Sequence, residues 1–174
     1  MAEASVEAEK AVQAVPGLNY VIVRPAIVYG PGDTQGITPR LICGAVYKKT
    51  GEKMEFLWDK NLRINTVHVR DVVAALWFLT QKGESGEVFN LADESDTDQG
   101  MIAEFLQEIF GIKTSFMGNM LSKVATSVAM KTVAEAANDK HLQPWSQLCK
   151  ENNIFDTPLT PYLDEELLYN TPLY

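Results

Sequence analysis

The stretch from Tyr20 to Asp33, YVIVRPAIVYGPGD, constrains the fold more than any other part of the chain. Tyr20 to Arg24 is a compact β-branched run and reads as a buried strand. Pro25 lacks the N–H that a ladder uses and is expected to stop regular pairing. Tyr29-Gly-Pro-Gly-Asp33 then reads as a loop from its turn residues.

The rest of the chain supplies elements in alternation. Residues 3–14 are rich in Ala and Glu and predict a helix with Val6 and Val12 on its apolar side, ended by Pro16-Gly17. Pro39 is placed to open a helix running to about Lys49. Met54–Trp58 and Asn65–Val69 predict short strands. Asp71 is a candidate cap for an apolar helix over Val72–Leu79. Glu87–Leu91 predicts another buried strand. Thr97 or Asp98 is then expected to cap a helix in which Ile102, Phe105, Leu106, Ile109 and Phe110 follow the helical period, with Gly111 closing it. Ile112–Phe116 is a candidate strand and residues 119–138 a helix. Alternating strands and helices place the chain in the α/β class.

A chain of 174 residues suits one domain with a real core. Fifteen basic residues against 23 acidic ones leave a net charge of −8, which disfavours nucleic acid as a partner. The charge is uneven. Seven basic residues fall between Arg40 and Arg70, whereas Gly83 to Ile112 holds eight acids and no Lys or Arg. The basic segment reads either as a solvated surface or as a positive pocket for an anionic small molecule. The acidic start, MAEASVEAEK, is unlike a signal or transit peptide. Cys43 and Cys149 stand apart and in no CxxC, which points to a reducing compartment, the cytoplasm. The Met-rich segment 117–131 reads as a core or lid helix, with membrane association the weaker alternative.

Several motifs of chemistry are missing from the sequence. It has no GxGxxG, no GxxxxGK and no GxSxG. His68 and His141 are distant and lack Cys partners at ligand spacing, so no metal is expected; a lone strand histidine such as His68 reads as a satisfied core residue. Asp164-Glu165-Glu166 reads as a solvated acidic turn. No tyrosine is followed at the fourth position by lysine: Tyr20, Tyr29, Tyr47, Tyr162 and Tyr169 are followed there by Arg24, Asp33, Gly51, Glu166 and Leu173.

Three segments, taken in order, resemble the extended short-chain dehydrogenase/reductase family, also called NAD-dependent epimerase/dehydratases. They are VIVRPAIVYGPGD (21–33), INTVHVRDVVAAL (64–76) and GEVFNLADESDTDQGMIAEFLQEIFG (86–111). The resemblance spans residues 1–116. It implies the closing part of a Rossmann-type parallel sheet with a smaller mixed α/β substrate domain. By that likeness residues 1–36 give a late helix and strand of the Rossmann part. Residues 37–174 give the substrate domain, with 86–111 returning to the sheet.

The resemblance also implies a site. It sets Pro25 and Ala26 against the nicotinamide of the cofactor, and Ile27, Tyr29, Arg40 and Arg63 near the substrate. Ile27 stands where sugar-nucleotide members carry a polar Asn, which leans toward a less polar substrate. The family's catalytic helix aligns with SVEAEKAV and sets Ser5 at its Lys and Met1 at its Tyr. Neither replaces the proton chemistry of that pair. NAD or NADP is therefore expected in a longer protein and not on this chain alone. The leading expectation is the substrate-domain fragment of an NAD(P)-dependent oxidoreductase, not catalytic by itself. The alternative is a non-catalytic nucleotide- or small-molecule-binding or regulatory protein on the same fold. The partner expected is a small molecule, anionic or partly apolar, with room left for a homo-oligomer.

Overall fold

The computed structural model describes residues 2–164 and Leu168. Met1, Glu165, Glu166 and Tyr169, which entered the reading above, lie outside them. Along the chain run α1 (Ala2–Gln13), β1 (Ile22–Pro25), β2 (Ile27–Tyr29), α2 (Thr38–Thr50), β3 (Met54–Phe56) and β4 (Thr66–His68). Then follow α3 (Val69–Lys82), β5 (Val88–Leu91), α4 (Gln99–Phe110), β6 (Thr114–Phe116) and α5 (Asn119–Glu151). The strands pair in parallel as β1–β5, β2–β4 and β3–β6. The architecture is mixed α/β, as the alternation predicts.

β1 ends at Pro25, as the sequence predicts, though the β5 ladder loses no donor there. Ile22 and Ala26 donate their N–H groups to Glu87 and Leu91 of the β5 side. The donors of even-numbered residues thus face β5, and the one that Pro25 lacks would face away from it. The chain resumes as β2 and changes partner: the Ile27 N–H goes to Asn65, beside β4. Past Leu91 the other strand also turns to β4, with Asp93 donating to the Thr66 carbonyl at 2.7 Å. The two strands therefore splay after Ala26 and Leu91, and β4 is wedged into the fork.

Two local expectations are corrected. α3 is capped by His68, whose Nδ1 accepts from the Arg70 N–H, and Asp71 lies inside its first turn. β5 is not buried. Val88 is 40% exposed, and the α3 face above is open too, with Trp77 71% and Phe78 61% exposed. No described element covers these side chains. The apolar positions Val6 and Val12 of α1 are likewise exposed. α1 is tied to the sheet by Arg24, whose guanidinium donates to both oxygens of Glu9 at 2.8 and 2.5 Å. That fork holds the Glu9 carboxyl below its usual range.

The core lies instead under β3 and β6. Cys43 and Tyr47 of α2, Met54 and Phe56 of β3, Ile64, Ile102, Ala103 and Leu106 of α4, and Ile112 form one buried cluster. Gly44 lets α2 approach α4: a Cβ there would meet Leu106 and Phe110 carbons at 2.7 Å. Asp98 caps α4, accepting from Met101, and Gly111 ends it in the left-handed conformation. Phe105 and Ile109 of the same helix face out at 54% and 62% exposure. α5 outruns its prediction and ends at Glu151, with Pro144 inside it. No helix among the described residues is long and apolar enough to cross a membrane.

Candidate functional site

The strand fork ends in a polar cluster at the carboxyl end of parallel strands, the edge where open α/β sheets bind ligands. Asp93 organises it. Its carboxylate accepts from Thr66 Oγ1 at 3.0 Å and from the His68 N–H at 3.2 Å. Thr66 in turn bonds Thr97, and Thr97 bonds Ser95, both at 3.1 Å. The Tyr29 ring stands edge-on to His68 with centroids 5.2 Å apart. Partial burial raises the Tyr29 phenol above its ordinary pKa, and Asp93 adds to this by charge and by hydrogen bonding. Tyr29 is thus a protonated phenol at neutral pH. Gly30 closes against the same histidine, since a Cβ there would lie 2.7 Å from His68 Nε2.

Pro25, Ala26 and Ile27 lead into this cluster. Pro25 is exposed at the end of β1, and Ala26 is buried with its N–H spent on Leu91. Ile27 packs against the core cluster. These positions offer a ligand an apolar wall without a free Ala26 donor. Pro25 has no N–H and those of Ala26 and Ile27 are spent on Leu91 and Asn65, so these three positions make no pyrophosphate cradle.

The loop after Tyr29 is fixed by Asp33. Its carboxylate accepts from the N–H groups of Gln35, Gly36, Ile37 and Thr38 at 2.6–3.0 Å and from Thr38 Oγ1 at 3.0 Å. Burial alone would raise its pKa, but these bonds outweigh it and hold the carboxyl below the ordinary value. The charge also sits at the amino end of α2, where the helix dipole favours an anion.

Arg40 follows from that helix start. It is buried, donates to the Gly36 carbonyl at 3.2 Å and lies in the field of Asp33. It also lines a cavity of about 190 Å³ between α2, β3 and α5. Arg63 lies apart. It is half exposed, donates to the Asp96 carbonyl, and pairs with the Asp96 and Asp98 carboxylates at 3.1 and 3.9 Å. The basic segment does not converge: Lys49 pairs with Glu151 and Lys53 with Glu55.

Residue-by-residue reading missed Asp93 and its threonines, and it missed a buried row behind the cavity. There His141 Nε2 lies 3.3 Å from the Tyr47 hydroxyl, and its Nδ1 lies 3.6 Å from Cys43 Sγ. Burial pushes the Cys43 thiol up to about 12, so it is no thiolate nucleophile at neutral pH. Burial, and then Lys140, lowers His141. The available signal for Asp93 was its place, two residues past the end of a strand.

A model of the NAD dependent epimerase/dehydratase family matches residues 2–92. A 4-hydroxy-2-methyl-3-oxo-4-farnesyl-3,4-dihydroquinoline-1-oxide ketoreductase of Stigmatella aurantiaca is 30% identical over 116 residues, 66% of this chain and 32% of that protein. An epimerase from Methanothermobacter thermautotrophicus superposes with a TM-score of 0.52 at 15% identity, over 65% of this chain and 35% of its own. A UDP-glucose 4-epimerase from Thermotoga maritima, solved with UDP-glucose, is 27% identical with a TM-score of 0.49, over 67% and 38%. The chain thus spans about a third of the length of the relatives it matches.

Proposed function

The chain belongs to the NAD dependent epimerase/dehydratase family, and we propose that it forms the substrate-holding side of an NAD(P)-dependent oxidoreductase site without carrying out the redox step alone. The observation that carries this reading is the fork. The change of partner at Ala26 seats β4 between the two arms and brings Tyr29, His68 and Asp93 together at the carboxyl end of parallel strands, the edge where such sheets hold ligands. Pro25 and Ala26 give the apolar wall against which a nicotinamide would rest. Ile27 and Tyr29 shape the substrate side, and Arg40 lines the cavity beyond. Residues 1–36 belong on this reading to the cofactor domain and 37–174 to the substrate domain, with 86–111 returning to the sheet. The cofactor supplies hydride chemistry when bound. This chain's part is to position the substrate and to exclude water.

Two features support the limit on catalysis. The sequence has no Tyr-x-x-x-Lys, and by the family resemblance SVEAEKAV sets Ser5 where the family has lysine. Tyr29 does not substitute for the missing acid, because burial and then Asp93 raise its pKa instead of lowering it. The relative from Stigmatella is a ketoreductase, which favours reduction of a carbonyl as the reaction of the whole protein.

A second reading is a binding or regulatory protein on the same fold, favoured by the same Ser5. Titrating the natural protein that carries these residues with NADH and NADPH, and screening carbonyl compounds, separates the two. Cofactor-dependent carbonyl reduction supports the first. Tight cofactor binding without turnover supports the second, and no cofactor binding removes the first.

A further inference from the structure

The cavity beside Arg40 says what part of a substrate this chain can seat. It lies between α2, the β3 segment up to Trp58, and the middle of α5, and holds about 190 Å³. An apolar cavity of about 150 Å³ takes a benzene ring, so this one has room for one aromatic ring and a small substituent. Met54, Phe56 and Trp58 form one wall, and Val133 and Ala137 of α5 form another.

The polar atoms of the wall are largely committed. The Trp58 indole N–H donates to the Leu168 carbonyl at 2.7 Å. The Gln99 amide donates to the Leu57 and Asp59 carbonyls at 2.7 and 3.1 Å. His141 is held neutral by burial and engaged with Tyr47 and Cys43. Arg40 is the buried cation among the described lining residues, and Asp33 stands in its field. A diphosphate calls for several converging donors or cations, and this wall does not converge them. Trp58 is also set with φ 66°, a conformation bulky residues rarely adopt. Ser122 Oγ accepts from its N–H at 2.6 Å, and its carbonyl accepts from the Gly118 N–H at 2.9 Å. Bonds on both sides of Trp58 thus hold this uncommon backbone and fix the indole in the wall.

We infer that the cavity seats a planar, largely uncharged ring of the substrate, of the aryl ketone or aryl alcohol class, and not a nucleoside diphosphate. The inference rests on the reading of this chain as the substrate-holding side. It is tested without any cofactor. The probe is 4′-fluoroacetophenone, followed by fluorine NMR on the chain itself, with uridine 5′-diphosphate followed by phosphorus NMR in parallel. Binding of the ketone is expected to saturate with a midpoint of about 0.1–1 mM, as suits a ligand of this size. It is also expected to shift the methyl resonance of Met54, assigned through Met54→Leu. Ala137→Trp and Val133→Phe fill the cavity from α5 and are expected to weaken binding tenfold or more. Binding of the diphosphate with no ketone binding, or ketone binding with an unmoved Met54 methyl, overturns the inference. The outcome is distinct from that of the oxidoreductase reading. Ring binding with no cofactor-dependent turnover in the natural protein refutes that reading and leaves the cavity assignment standing, and turnover without ring binding does the reverse.

Discussion

Replacing Asp33 with alanine removes five hydrogen bonds at once, because one carboxylate serves four backbone N–H groups and the Thr38 hydroxyl. Two of these satisfy the open end of α2, and a helix cap is worth about 1 kcal/mol. The bonds to Gln35 and Gly36 add about 0.5–1.5 kcal/mol each in favourable surroundings. Asp33 is only half-buried, so solvent screening takes the lower end of that range, and the total is about 2 kcal/mol. For a chain of this size that lowers Tm by about 4–8 °C. The pH dependence has a fixed sign. The folded pKa of Asp33 is depressed, so its stabilisation is present above the unfolded value and is lost as the pH falls through the folded one. Thermal melts of parent and Asp33→Ala are therefore expected to differ fully at pH 7 and to converge below about pH 4. Asp33→Asn keeps one acceptor oxygen and falls between them. If Asp33→Ala melts within about 1 °C of the parent at pH 7, or if the gap is the same at pH 3, the carboxylate does not hold this loop.

Other perturbations test the packing and charge. Gly44→Ala places a methyl 2.7 Å from Leu106 and Phe110 carbons and is expected to cost about 1–3 kcal/mol in denaturant melts. His141 has a lowered folded pKa, so its neutral form stabilises fully above about pH 6.5, and stability falls as the pH drops from there through the folded value. The slope is at most about 1.4 kcal/mol per pH unit, or about 3–6 °C, and His141→Gln is expected to flatten it in melts between pH 7.5 and 5. Trp77 and Phe78 stand open on α3, so the chain is expected to self-associate in light scattering. Trp77→Lys with Phe78→Glu should reduce this with little change in Tm.

The sequence was most legible where local chemistry and packing agree. The α4 helix shows both its cap, Asp98, and its terminator, Gly111, and its core side chains Ile102 and Leu106 keep the helical period. It was least legible where a residue's meaning depends on which edge it faces. Pro25 reads as a terminator and β1 does end there, yet its missing donor points away from β5, and the chain resumes at Ile27 as β2 with a new partner. Asp71 is as good a cap by type as His68, and only the position of the β4 end decides between them. Ile27 and Arg40 could be singled out from the residues and their likeness to a family. Asp93 carried only its place past a strand end, because its partners Thr66 and Thr97 come from separate segments that meet only when β4 enters the fork.

The fork and the cavity are built from different elements and differ in character. The fork is polar and collects hydroxyls and a carboxylate, whereas the cavity is apolar with its donors already spent. Ile27 links them indirectly: it lies on the strand that leads to Tyr29 and packs against the core cluster that carries Phe56. A polar side chain at that position would have to be satisfied inside the core or pull the strand away from it, at the cost of burying an unpaired group. An apolar residue there keeps the strand seated and leaves the junction without a hydrogen-bonding handle. Through that cluster Ile27 supports the Phe56 wall of the cavity. On that geometry Ile27→Asn is expected to weaken ring binding in the cavity, and Tyr29→Phe, at the fork, to leave it unchanged. The fluorine titration reads both, and equal losses in the two variants would mean that fork and cavity are not separate.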